Sequence, residues 1–239
     1  MNLYGKTIKI SELENTDKDS MYTLFSTCFD NVDKQVFISD MAQKDWVIML
    51  YDSSNKLAGF STQKLLKFDS CDVLFSGDTI VHPEYWSETE LMHHWGKLAL
   101  KLIDASYKPL YWFLISMGYR TYRFLPVFFK EFYPRYNLET PEKIKKIIDE
   151  LGLKLYSEMY CPENGQIRSN SSTAFLKGAL AQIKKNRLIN PHVKFFLENN
   201  PDYYKGVELA CLAPLTRENF NSAAYRMINK KQKAYELSV

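Results

Sequence analysis

Apolar positions recur near helical spacing at Met21, Leu24, Phe25 and Cys28, and again at Val36, Phe37 and Met41. This predicts two short helices between residues 19 and 43, broken at Asp30-Asn31. The period then changes. Asp45 to Asp52, with the apolar centre Trp46-Val47-Ile48-Met49-Leu50-Tyr51, suits a strand, and the turn formers Ser53-Ser54-Asn55 lead into a second strand from Lys56 to about Phe68. An antiparallel hairpin follows from that order. A third strand, Asp72 to Val81, stops at His82-Pro83, because proline cannot donate to a central ladder.

Ser87-Glu88-Thr89-Glu90 has the spacing of a capping box, and Leu91, Trp95, Leu98 and Leu102 share one face beyond it, so a long helix is predicted over about 88–106. After Lys108-Pro109, the run Leu110-Tyr111-Trp112-Phe113-Leu114-Ile115 is apolar on both faces, as a parallel strand covered on both sides should be, and Gly118 marks its end. Strand, helix and covered strand make a crossover unit. A further helix is expected from Pro126 to Tyr133-Pro134, and another from Thr140-Pro141 to Leu151. Then come a strand over Lys154 to Tyr160, a polar loop over 161–171, a helix over 172–186, a last strand over Val207 to Leu212 and a closing helix over 217–230. The long connection between the two late strands is where substrate specificity is expected, since such connections tend to carry function.

With 239 residues, the chain can bury a substantial core, and 31 Lys+Arg against 28 Asp+Glu leave too little net charge to imply a nucleic-acid partner. Only 9 glycines are present, and the closest, Gly152 with Gly165 and Gly165 with Gly178, are thirteen residues apart. Neither the dinucleotide fingerprint nor the P-loop can be built without glycines a few residues apart, so nucleotide enzymes of those types are excluded. Cys28, Cys71, Cys161 and Cys211 form no paired motif and read as reduced thiols. His82, His93, His94 and His192 lack metal-site spacing, and adjacent His93 and His94 leave a helix about 100° apart, so no metal is expected. No stretch approaches the roughly 18 apolar residues of a membrane span and no apolar signal core opens the chain, which makes a cytoplasmic setting the expectation.

The order of two short helices, an antiparallel strand series, a strand ending in Val81-His82-Pro83-Glu84-Tyr85, a long helix and a covered strand resembles the GNAT superfamily of N-acyltransferases. The resemblance spans roughly residues 5–136, and V-x-P-x-Y is its most specific piece. It implies an α/β (α+β) fold with a mixed central sheet flanked by helices. Residues 1–138 would form the core and residues 139–239 a helical C-terminal extension that also supplies the closing strand, in a single compact unit. It further implies acyl transfer from a thioester to an amine, with acyl-CoA or acyl-phosphopantetheine as co-substrate in place of a tightly bound cofactor. The expected partner is a small-molecule or acyl-carrier substrate, and a homodimer is compatible with the family.

In that family a basic, glycine-containing loop follows the V-x-P-x-Y segment and holds the pyrophosphate of the donor. Here Trp86 takes the basic position, Thr89 and Leu91 take the small ones, and Glu88 and Glu90 set carboxylates against a phosphate. Three readings stay open: an acyltransferase that holds its donor differently, a fold relative that has lost the donor and serves as a binding module, and an unrelated α/β protein.

The resemblance places the acyl arm between the strands at 72–81 and 110–117. Acyl transfer needs a base and an acid at the mouth of that gap, and Asp78, His82, Glu84 and Tyr122 qualify by position. Asp78 stands out because an ionisable group in an apolar strand is costly unless paired, although a solvent-facing Asp is the plainer alternative. Arg120 and Arg123, in the segment Tyr119 to Phe124, are forks that could bind the donor phosphate beside Trp86 and Ser87. Against that stands a surface reading of those arginines, a cap role for Ser87 and a core role for Trp86. Lys184 to Arg187 and Lys230 to Lys233 suit solvated helix ends, and Phe195, Phe196, Tyr203 and Tyr204 suit either an apolar acceptor pocket or core packing.

Overall fold

The computed structural model of the chain describes residues 3–168, 175–178, 182–183 and 185–230. Among these residues an eight-stranded sheet runs in the order β1 (Tyr4–Lys9), β3 (Trp46–Tyr51), β4 (Leu57–Lys67), β5 (Asp72–Val81), β6 (Leu110–Ser116), β10 (Glu208–Pro214), β8 (Gln166–Ile167) and β7 (Tyr160–Cys161). All neighbours are antiparallel except β5 and β6, which run parallel through the crossover predicted from the sequence. A separate two-stranded ribbon pairs β2 (Phe29–Asp30) with β9 (Phe175–Leu176).

The apolar pattern sorts the helices onto two faces. On one, α3 (Glu90–Ala105) lays Leu91, Trp95 and Ala99 over Leu74, Trp112 and Leu114, with the Trp95 and Trp112 rings 4.4 Å apart. On the other, α6 (Glu142–Tyr156) sets Ile144, Ile148 and Leu151 against Val73, Phe75, Phe113 and Leu212. Beside it, α1 (Asn15–Cys28) and α2 (Lys34–Ala42) cover Val47, Met49, Phe60 and Ile80 with Met21, Phe25, Phe37 and Met41. β6 is therefore covered on both sides, which is why its sequence shows no alternation.

Several boundaries differ from the sequence reading. α3 begins at Glu90, with Thr89 at the cap and no side-chain cap bond, so the capping box at Ser87 is not formed; a 3₁₀ turn at Pro83–Tyr85 takes up the chain there and leaves Ser87 exposed. The helix expected from Pro126 to Tyr133 is replaced by α4 (Tyr119–Tyr122) and α5 (Phe124–Phe128). Pro126 still lies in a first turn, where its missing N–H breaks no bond. Beyond α5 the chain is extended, with Phe129 bridging Phe220 and Tyr133 bridging Leu212. The strand expected over Lys154 to Tyr160 shrinks to β7, because Leu155 and Tyr156 continue the buried stripe of α6.

The polar loop at 161–171 contains the β7–β8 hairpin, turned at Gly165 with φ +69°. Of the helix expected over 172–186, the described residues hold β9, a helical position at Gly178 and a 3₁₀ turn at Lys185–Arg187; the rest of that prediction, with Lys184 and Lys231 to Lys233, lies outside the described residues. The closing helix is α8 (Ser222–Ile228), and β1 and α7 (Pro191–Asn199) were not read from the sequence at all. β10 enters the sheet beside β6, pairing Leu209 with Ser116 through Pro214 with Tyr111, so the C-terminal region completes the sheet.

Candidate functional site

β5 and β6 pair from Asp72 with Leu110 to Ser76 with Leu114 and no further, although β5 continues to Val81 and β6 to Ser116. The strands part at that point. A bulge sits immediately beyond it: Ser61 faces Thr79 and Gln63 faces Ser76, so Gly77 and Asp78 together oppose the single residue Thr62. Such a bulge bends its strand and re-aims side chains, and here it turns β5 away from β6. Past the bulge, the His82 amide donates to the Ala58 carbonyl at 2.8 Å. By strand alternation the main-chain groups of Ile80 turn towards β4 as well, and those of Thr79 and Val81 turn into the gap. Apart from the Val81 carbonyl, which the Trp86 indole N–H takes, they form an edge for a ligand that can hydrogen-bond.

Two carboxyls lie near one another by the bulge, and neither is among the residues that line the cleft along the parted edge. Burial is the main cause that pushes Asp78 up to about 6; the charge of Asp40 adds to it and the ammonium of Lys44 opposes it. Lys44 is itself held by Asp40, at 2.6 and 2.7 Å from the two carboxylate oxygens. Glu208, at the start of β10 where β6 ends, is pushed up to about 8 by burial and then by the charge of Asp78. The phenol of Tyr156, at the end of α6, is raised first by burial and then by Glu208, Asp40 and Asp78. Four elements thus bring titratable groups to one place, and the sequence reading found only Asp78 among them. Glu208 had no signal, because its proximity depends on β10 lying beside the end of β6.

The raised carboxyls also fix a pH dependence of stability. A carboxyl whose folded pKa is raised binds more protons in the folded than in the unfolded state, so stability is fully present below the ordinary carboxylate range and falls as pH rises through about 6 and then about 8. Glu208→Gln should therefore stabilise the protein at about pH 9 by on the order of 2 kcal/mol, allowing for water around a half-buried group, with the gain vanishing near about pH 5. Denaturant titrations of both proteins at the two pH values check this.

An open cleft runs along the parted edge, lined by Cys28 and Phe29, by Thr79, Ile80 and Val81, by Trp86, and by Gly118 to Thr121. The structure brings Trp86 and Arg120 together there. The Trp86 indole N–H donates to the Val81 carbonyl at 2.8 Å, and the Arg120 guanidinium lies 3.8 Å over its ring. Ser87 and Arg123 are not among the lining residues. His82 and Glu84 sit on the outer turn beyond β5, 41% and 64% exposed, with His82 Nδ1 3.7 Å from the Glu84 carboxylate, and they do not line the cleft. Tyr122 does not reach it either: fully buried between Phe132 and Phe196, it donates its hydroxyl to the Pro134 carbonyl at 2.8 Å, and burial raises its phenol.

A chain of buried polar groups lies beneath the point of parting. The Trp112 indole N–H donates to Ser76 Oγ at 2.9 Å, Ser76 donates to Gln63 Oε1 at 2.7 Å, and Gln63 Nε2 donates to Ser61 Oγ at 2.7 Å. Ser61 and Thr79 share a hydroxyl bond of 2.7 Å. The chain ties β6 to β4 and β4 to the cleft side of β5, which holds the bulge in register.

His93 and His94 depart from the divergence expected of adjacent helical residues. Their rings lie 5.2 Å apart at 83°, and one donor atom from each, with a Glu90 carboxylate oxygen, falls within 4.8 Å of the others. Side-chain rotation has closed the angle that the backbone opens.

No family model matches the chain, and no curated protein matches it. Among solved structures it is similar to the GNAT family N-acetyltransferase YhbS of Escherichia coli in complex with CoA, at 11% identity and a TM-score of 0.39, over 52% of this chain and 69% of that one. It is also similar to an acetyltransferase of the GNAT family from Staphylococcus aureus, at 9% identity and a TM-score of 0.39, over 56% and 89% of the two chains. A third is the loading GNATL domain of CurA from Lyngbya majuscula, at 11% identity and a TM-score of 0.35, over 48% and 65%. The description of the fold rests on this chain's own features: the mixed sheet, the single parallel pair parted beyond Ser76, and the crossover helix between its strands. Among the described residues, no helix is long and apolar enough to cross a membrane.

Proposed function

We propose that this chain is a GNAT-type N-acyltransferase that moves an acyl group from a phosphopantetheine thioester, carried by CoA or by an acyl-carrier protein, to an amine. The observation that carries the reading is the parting of β5 and β6 beside a carboxyl held near neutral pKa. A pantetheine arm is thin and carries two amides, so it matches the main-chain groups of Thr79 and the N–H of Val81, and lying along them it would bring its thioester towards Asp78. At neutral pH Asp78 is mostly ionised. It takes the proton from the attacking amine as the new N–C bond forms, the C–S bond breaks, and the departing thiolate collects a proton. Glu208, mostly protonated at the same pH, is a donor held on the same side, and two carboxyls with pKa values set apart suit an acid and base pair.

Donor recognition in this reading falls to Arg120. The first turn of α3, where a phosphate would otherwise sit, holds the buried Glu90 carboxylate at 4% exposure, which repels an anion. A guanidinium braced on Trp86 at the cleft offers a fork to one phosphate, which suits phosphopantetheine with or without the nucleotide of CoA. Glu90 also favours the second reading, a binding module without a donor. The two separate in a thermal-shift and turnover screen with acetyl-CoA, longer acyl-CoAs and an acylated carrier protein. At least one donor is expected to raise the Tm saturably, and Arg120→Gln to weaken it by roughly 10–100-fold, the value of a charge-assisted bond to phosphate. Silence across all donors excludes the transferase and leaves the binding module.

A further inference from the structure

We propose that Glu90, His93 and His94 form a binding site for one divalent transition-metal ion of the zinc class, on the first turn of α3. Their donor set is two imidazole nitrogens and one carboxylate oxygen, which suits Zn²⁺ or Co²⁺ and not the all-oxygen ions Mg²⁺ or Ca²⁺. Glu90 precedes His93 by three residues and His94 by four, so all three leave the same side of the helix. His94 Nε2 lies 3.6 Å from Glu90 Oε1, close to the edge of about 3.4 Å that bonds of about 2.1 Å make in a tetrahedral site.

The independent observation is at His93. Its ring is 1% exposed, and its Nδ1 lies 3.1 Å from the Met227 carbonyl. A carbonyl can only accept, so that contact fixes the proton on Nδ1 and leaves a bare lone pair on Nε2. Nε2 is buried and has no hydrogen-bond partner. An unpaired buried acceptor is costly, whereas a histidine that gives one ring N–H to a backbone carbonyl and turns the other nitrogen to a metal has the usual outer-shell arrangement of a metal ligand.

The surroundings also fit an ion that joins elements. A Cβ at Gly5 would stand 2.8 Å from His94 Nε2, so β1 closes over that ring only because residue 5 is glycine. Through Met227, α8 closes over the other. Lys230 lies 3.5 Å from Glu90 Oε2 and 3.5 Å from Thr89 Oγ1; it uses the carboxylate oxygen turned away from His94, and its side chain is 44% exposed, so it can swing outward as an ion enters. Lys97 is the lysine whose charge reaches His93.

The test is a Co²⁺ titration of the chelator-treated full chain, followed by visible absorption, with Zn²⁺ as competitor and thermal shift as the second readout. His93→Asn keeps a donor for the Met227 carbonyl while removing Nε2, and Glu90→Gln keeps the shape of the side chain while removing its charge. One Co²⁺ per chain is expected, displaced by Zn²⁺, with a higher Tm when metal is bound and affinity weakened by roughly tenfold or more in each variant. Both variants should melt near the wild-type temperature without metal, which separates lost ligation from lost folding. The site is disproved if the wild type binds no Co²⁺, or if binding survives either substitution unchanged. Acyl transfer takes no part in this test.

Discussion

Asp78→Asn is expected to lower kcat for amine acylation by about 10²–10⁴-fold, the usual contribution of a positioned general base. The substitution keeps the size of the side chain and removes only its capacity to accept a proton. It also removes a carboxyl that burial pushes up to about 6, so the variant should fold at least as stably as the wild type above that pH. A fall in rate without a fall in Tm is thus the expected pair of results. The pH profile gives the second check. In the wild type kcat/KM should rise with pH through about 6 as Asp78 ionises and fall above about 8 as Glu208 loses its proton, while Asp78→Asn loses the acid limb. Because Glu208 is still neutral where Asp78 ionises, Glu208→Gln should remove the basic limb and leave the acid limb near about 6. A variant within about tenfold of wild type at every pH would remove Asp78 from the chemistry.

Gln63→Leu should be the most damaging change to stability near the site, at about 2–5 kcal/mol, because it takes one partner from each of two buried hydroxyls at once. Gln63 is fully buried and receives the Ser76 hydroxyl while donating to Ser61. Leucine has the volume but neither function. At roughly 2–4 °C per kcal/mol for a chain of this size, a Tm drop of order 10 °C is expected by calorimetry. The damage should also reach the cleft, since Ser61 holds Thr79 on the far side of the bulge. Gln63→Glu would keep the acceptor for Ser76, and a smaller loss at low pH than at neutral pH would show that the hydrogen bonds, and not the packing, set the cost. A loss below about 1 kcal/mol for Gln63→Leu would mean that water or local rearrangement replaces the chain.

Much of the fold was legible because its signals are local. β5 was read to the residue, since an apolar run ended by His82-Pro83 has one place to stop, and β6 was read as covered because Trp112 and Phe113 are both apolar yet face opposite sides. The errors fall where local signals compete. Ser87-x-x-Glu90 has the spacing of a cap, but Glu90 turns inward to His94 and Lys230, and the cap is lost. Pro126 was read as the start of a helix when it stands inside one already begun.

The site was legible only in part. Asp78 could be singled out because a carboxyl in an apolar strand demands an explanation, and Arg120 and Trp86 because they flank the expected cleft. Tyr122 and Glu84 qualified by position alone, and position along a chain does not say where a hydroxyl or a carboxylate points. Glu208 in the proposed transfer, and Glu90, His93 and His94 in the proposed metal site, had no sequence signal. The first lies 130 residues from Asp78 in sequence, and the others were judged by backbone angles that rotamers overrode.

The sequence by itself determined the strand and helix order, the double covering of β6 and the exclusion of glycine-built nucleotide sites, because hydrophobic period, proline and glycine act over a few residues. Only the tertiary structure decided that β5 bulges and leaves β6 beyond Ser76, that β10 brings Glu208 within reach of the Asp78 charge, and that Met227 leaves His93 Nε2 an unpartnered acceptor. The physical reason is that burial and charge act through space: a pKa, a cleft or a ligand set depends on which distant residues share a volume, and strand pairing and helix packing choose those residues only once the chain has folded.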